Sequence, residues 1–177
     1  RKGPMTMGAS QLCGFAKSDS TRETPNLQFH IQPISTDKLG GSKLHDFNAF
    51  TPTVANVRPT SRGEINIMSS DSRDNPKIKM NYLSTEEDRK VAADGLKLIR
   101  KIVMETKEFK KYEPEEYRPG AHIKDSEEII KACSHYAQTI FHPVGTCKMG
   151  NDYSAVVSDK LKVHGIENLR VIDASIM

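Results

Sequence analysis

The amino-acid sequence predicts an α+β fold. Its first half is broken into short stretches where apolar and polar residues alternate, the period of a strand with one buried face. Its second half opens on a capping signal followed by apolar residues at helical spacing. Strands first and helices after is the ordering of an α+β chain. A last apolar stretch, residues 169–172, leads into Asp173-Ala174-Ser175 and predicts a final strand with an acid and small residues at its carboxyl end.

Residues 1–25 are rich in Gly, Ser and Thr, with breakers at Gly3-Pro4 and Gly8, and read as mostly loop. A short apolar piece, 12–16, is a candidate strand. Residues 26–34 alternate: Leu27, Phe29 and Ile31 share one face, Gln28, His30 and Gln32 the other, and Pro33 ends the run. Gly40-Gly41 marks the next loop, within 38–46. Residues 47–57 predict a second strand, interrupted by Pro52 or placed by it at a sheet edge. After the turn Arg58-Pro59-Thr60-Ser61-Arg62-Gly63 come two more extended pieces, 64–68 with Ile65 and Ile67 on one face, and 78–82.

Ser84-Thr85-Glu86-Glu87 has the form of a capping box with Ser84 as N-cap. Ala92, Leu96, Ile99 and Val103 then mark one helix face, widened by Leu98 and Ile102, over about five turns. Residues 109–117 are a loop or short helical turn, closed by Pro119-Gly120. Asp125 with Glu128 opens a second helix reaching about Ala137, with Ile129, Ala132, Cys133 and Tyr136 toward the core.

The chain has 177 residues and a net charge of +3 with both signs interspersed, so no basic stripe points to nucleic acid. The nearest run, Lys107, Lys110 and Lys111 around Glu108, reads as a solvated helix end. No apolar run approaches a membrane span. Three cysteines, Cys13, Cys133 and Cys147, fit free thiols better than a disulfide framework. The chain starts at Arg1 and stops on an apolar segment, so both ends are expected to continue into a longer polypeptide, leaving targeting open between cytoplasmic, membrane-associated and secreted.

Chemistry concentrates in Phe141-His142-Pro143-Val144-Gly145-Thr146-Cys147-Lys148-Met149-Gly150. Pro143 biases His142 toward an extended conformation, and Gly145 and Gly150 permit a sharp turn behind it. Cys133, His135, His142 and Cys147 lie within fifteen residues, and the His142-x4-Cys147 spacing occurs in zinc knuckles. Cys133 and His135 at i and i+2 of a helix, however, do not face each other, which argues against zinc. A Cys147 nucleophile paired with His142 lacks an orienting acid. No Gly-rich phosphate cradle is present. That leaves His142 as a general base or a hydrogen-bond partner in a pocket, able to take the proton of an alcohol while a hydride leaves the same carbon for a cofactor. The competing reading is a non-catalytic binding or structural domain.

The run 141–150, then Ala155-Val156-Val157-Ser158-Asp159, then Val163-His164-Gly165-Ile166-Glu167-Asn168-Leu169-Arg170-Val171-Ile172-Asp173-Ala174-Ser175-Ile176-Met177, resembles the carboxyl-terminal signature of the glucose–methanol–choline (GMC) oxidoreductases. Arg58-Pro59-Thr60-Ser61-Arg62-Gly63 and Asn81-Tyr82-Leu83-Ser84 fit the same family, nearest its choline dehydrogenase-like and alcohol dehydrogenase-like branch. The resemblance implies FAD as cofactor, an alcohol substrate, and a quinone, another carrier or oxygen as electron acceptor. It implies a substrate domain over 1–167, an antiparallel sheet with helices on one face, and a strand over 168–177 returning to the FAD domain. His142 would be the active-site histidine. Asp173 and Ala174 would approach the cofactor, and Val144 would line the pocket. The family's amino-terminal dinucleotide fingerprint and second active-site residue lie outside this sequence, so the rest of the polypeptide is needed to complete the site. His164, in the same signature, reads as a turn residue.

Overall fold

A computed structural model describes residues 10–37 and 43–177, together with Gly8. The breakers Gly3-Pro4 and Gly40-Gly41 lie outside the described residues. The chain divides into two compact units: residues 1–61 with 83–137, and residues 62–82 with 138–177.

In the first unit, three antiparallel strands run in the order β1 (Leu12–Ala16), β2 (Leu27–Gln32), β3 (Thr51–Asn56). Phe29 stands opposite Val54, and His30 opposite both Cys13 and Thr53. The expected alternation therefore holds, with Leu27, Phe29 and Val54 on one face and His30 on the other. Pro52 lies in β3, an outer strand of this sheet, where its missing N–H interrupts no inner ladder.

Helix α1 (Glu86–Arg100) covers the Leu27–Val54 face. Its N-cap is Thr85, one residue later than expected: Thr85 Oγ1 accepts the Asp88 N–H at 3.2 Å. Ser84 is drawn away because its N–H donates to Ser61 Oγ. The buried face is also rotated from the expected one. It runs through Asp88, Val91, Gly95 and Ile99, while Ala92 and Leu96 are half-buried. The reason is Gly95. A Cβ there would lie 3.1 and 3.2 Å from the Val54 methyls, so the missing side chain lets helix and sheet approach closely. Apolar periodicity counts side chains and passes over a contact made by lacking one.

Asp88 is the second cause of the rotation. It is only 4% exposed, yet both of its oxygens are occupied. They accept the N–H groups of Thr60 (2.9 Å) and Ser61 (2.8 Å), the Thr60 hydroxyl and the Asn56 amide. Burial opposes the charge, but the Ser61 hydroxyl and the Thr60 and Ser61 N–H groups outweigh it and lower the pKa.

The α-helix stops at Arg100 and continues as one wider π turn, Lys101–Glu105, short of the expected unbroken five turns. Helix α2 (Lys107–Lys110) is a single turn, and the Arg118–Pro119 bond is cis. Arg100 ties this connection down: its guanidinium pairs with the Glu116 carboxylate at 2.8 and 2.9 Å and donates to the Gly120 and Ile123 carbonyls. Helix α3 (Ser126–Tyr136) is capped by Asp125 as expected and buries Ile129 and Ala132. Burial raises the pKa of the Cys133 thiol. Tyr136 is half exposed, contrary to expectation, with the Arg118 guanidinium over its ring.

In the second unit, β4 (Glu64–Asn66) and β5 (Lys77–Lys79) form a separate antiparallel hairpin. So the described residues hold two small sheets rather than one. The remainder of this unit is turns joined by isolated bridges around Val157, which is fully buried. The expected final strand over 169–172 is a single bridge, Arg170 to Lys162, and residues 174–176 form a 3-10 turn. Among the described residues the 169–172 stretch bonds to 161–163 through two hydrogen bonds, Val163 N–H to Leu169 O and Val171 N–H to Leu161 O, a single bridge rather than a continued ladder.

Candidate active site

The signature around His142 enters the second unit through a kink. Phe141 has φ +64°, a left-handed conformation unusual for an aromatic residue. The kink is held by the Phe141 N–H donating to Thr139 Oγ1 at 2.9 Å, a turn that hydroxyl residues make two positions on. Residues 139–144 join no ladder, so the expected extended segment is a bent one. Gly145 follows at φ +91°, where a side chain would be strained, and it passes close to the Met177 carbonyl.

From there residues 145–150 form a strap bound to the last residues of the chain. The Cys147 N–H donates to the Ser175 carbonyl and the Met149 N–H to the Ile176 carbonyl, each at 2.9 Å. The Gly150 N–H donates to Val157 O at 3.0 Å, and the Val156 N–H to Lys148 O at 2.8 Å. Lys148 Nζ reaches Asp152 at 2.8 Å and Ser154 at 3.2 Å. The Lys148 ammonium and the Ser154 groups hold the Asp152 carboxyl far below the usual carboxylate range.

Asp173 shapes the other side. Its Oδ1 accepts the Ser175 N–H at 2.8 Å and starts the 3-10 turn Ala174–Ile176. The Ser175 hydroxyl and N–H lower the Asp173 pKa, so the group is a carboxylate at neutral pH. That turn presents the two carbonyls that receive Cys147 and Met149. The structure therefore joins the strap that follows His142 to the segment of Asp173 and Ala174, through residues twenty-seven and twenty-eight apart in sequence.

The four expected site residues, His142, Val144, Asp173 and Ala174, are all solvent-exposed in this chain, Val144 by 51%. Ile172, next to Asp173, is 71% exposed. Among the described residues no three His, Cys, Asp or Glu side chains gather as a metal would require. No described helix is long and apolar enough to cross a membrane.

Three site elements were not foreseen in the sequence: the Thr139–Phe141 kink, the Ser175 and Ile176 carbonyls, and a 2.9 Å bond between His164 Nε2 and the Gly150 carbonyl. Thr139, two residues before Phe141, was a readable signal for the first. Backbone carbonyls carry no sequence signal.

Known proteins resemble this chain in sequence and in fold. Residues 59–177 match the family model described as GMC oxidoreductase. The chain is 40% identical over 177 residues to an alcohol dehydrogenase (acceptor) of Pseudomonas putida, covering 100% of this chain and 32% of that protein. It is 42% identical over 164 residues to an oxygen-dependent choline dehydrogenase of Proteus mirabilis, covering 93% of this chain and 29% of that protein. Among solved structures, formate oxidase of Aspergillus oryzae RIB40 superposes with a TM-score of 0.81 at 25% identity, over 100% of this chain and 35% of that one. Pyridoxine 4-oxidase from Mesorbium loti gives 0.80 at 25% identity, over 95% and 33%. The chain thus spans about a third of the length of the curated relatives it matches. With the signature folded into one unit and the family model matching most of the sequence, this chain belongs to the GMC oxidoreductase family.

Proposed function

We propose that this chain is the carboxyl-terminal part of an FAD-dependent oxidoreductase that oxidises the CH–OH group of a small alcohol, with His142 as its general base. The observation that carries the reading is the stitching of the His142 strap to the segment of Asp173 and Ala174. It lets one unit offer a proton acceptor and a cofactor-facing turn together.

When bound, FAD supplies the hydride acceptor for this chemistry. The residues present fit that group: Asp173 and Ala174 are exposed at a fixed turn, Ile172 precedes them with exposed apolar carbons, and Val144 is exposed two residues from His142. His142 is exposed in this chain, where its ring can meet a substrate hydroxyl. The imidazole takes that proton as the carbinol carbon becomes a carbonyl. Val144, two residues on, borders the substrate. Asp173 holds the turn that anchors the strap, so its cap and the placement of His142 are connected. A quinone, another carrier or oxygen completes the cycle as electron acceptor. In this reading residues 1–167 belong to the substrate domain and 168–177 run into the FAD domain, whose remaining parts come from the rest of the polypeptide.

The test is to purify the whole polypeptide carrying this chain and read its flavin absorbance. It should be yellow, with FAD released on denaturation, and anaerobic addition of primary alcohols, choline among them, should bleach it. A colourless protein that binds no FAD would favour a non-catalytic member of the family.

A further inference from the structure

His164 lies fourteen residues beyond the strap in sequence but bonds to its end. Its Nε2 is 2.9 Å from the Gly150 carbonyl oxygen. A carbonyl only accepts, so Nε2 carries the proton and is the donor. The ring is itself well placed. The His164 N–H donates to Val156 O at 3.0 Å, the preceding Val163 N–H donates to Leu169 O at 3.0 Å, and Gly165 turns the chain at φ +77°. Val157 pairs on one side with Met149 of the strap and on the other with Val163, and is fully buried between them. His164 thus spans from the 163–169 turn back to the strap. The strap's anchors at Cys147, Met149 and the Gly150 N–H are backbone bonds, and Lys148 Nζ holds its middle to Asp152 and Ser154. His164 adds a side-chain bond at the glycine where the strap ends.

We propose that His164 is a positioning residue for His142, fixing the far end of the strap through its Nε2–H bond to the Gly150 carbonyl. This rests on the reading of His142 as the base. His164 touches neither substrate nor cofactor in this role. Its effect passes through the strap to the imidazole, where a misplacement of about 1 Å can slow the reaction about a hundredfold.

The experiment uses the whole flavoprotein and compares His164→Phe, His164→Gln and His164→Asn with His142→Ala. Two quantities are read: FAD bound per polypeptide, and the rate constant for anaerobic flavin reduction by the substrate alcohol. Phe keeps a ring without a donor. It should retain FAD and slow reduction about tenfold or more, within the up to about hundredfold range that misplacement produces. Gln can reach the carbonyl with its amide N–H and should recover most of that loss, whereas the shorter Asn should not. Wild-type reduction in His164→Phe, or equal rates for Gln and Phe, would overturn the proposal while leaving a slow His142→Ala and its reading intact. If Phe fails to hold FAD, Gln against Asn decides: a fast Gln and a slow Asn support the proposal, and equal rates overturn it. Normal reduction in His142→Ala would remove the base itself, and the positioning role with it.

Discussion

The two units are built by different means. The first is a side-chain construction: Leu27, Val91, Ala93, Ile99, Ile129 and Ala132 are buried between sheet and helices. The second buries Val157 alone among its described apolar side chains. It is held by turns, isolated bridges and backbone hydrogen bonds, and it carries the candidate site. A packed core resists displacement because every neighbour must move. A backbone-stitched unit leaves its side chains outward, free to meet a ligand. The lesson is a division of labour. Substitutions in the first unit should act on stability, and those in the second on chemistry.

The largest stability effect expected is from Ile129→Ala. Ile129 is fully buried where α3 meets α1, and removing its methyls leaves a cavity worth about 2–5 kcal/mol. Urea unfolding of the whole polypeptide, followed by circular dichroism, measures it. A loss below about 1 kcal/mol would mean the first unit is not core-dominated.

Asp88→Ala comes next. It leaves the Thr60 and Ser61 N–H groups without their acceptor, at about 1–3 kcal/mol each before water replaces it. The substitution should also remove a pH dependence. Because the folded carboxyl titrates below its unfolded value of about 3.9, its contribution is fully present above that value and is lost as pH falls through the lowered folded one. Unfolding midpoints at pH 6 and pH 3 should therefore differ less in the variant than in the parent. An equal difference would contradict the role given to Asp88.

Gly95→Leu should cost about 1–3 kcal/mol by forcing α1 off Val54, despite leucine's better helix propensity. A stabilised variant would show that the helix can shift freely. Thr85→Ala should cost about 1 kcal/mol, the usual loss of an N-cap, and would distinguish Thr85 from Ser84 if Ser84→Ala costs less.

These residues also show where sequence reading succeeded. The alternation at 26–34 placed the faces of β2, and of the two readings of Pro52, an interruption or an edge, the structure has the edge. Asp125 announced α3. Gly95 and Asp88 escaped because periodicity weighs apolar side chains, and the close approach and the buried carboxylate depend on β3 and the 60–61 turn, distant in sequence. At the site, His142, Gly145 and Asp173 were legible as residue types. The joining of strap to 3-10 turn was not, since it is made between backbone groups that every residue has.

The central claim is that His142 serves chemistry and not the stability of the fold. The most direct measurement is the single-turnover rate of flavin reduction by alcohol in the whole flavoprotein with His142→Ala. The expected result is unchanged FAD content, an unfolding free energy within about 0.5 kcal/mol of the parent, and reduction slowed about 10²–10⁴-fold, the loss of a general base. A variant that reduces its flavin at the parent rate would contradict the account.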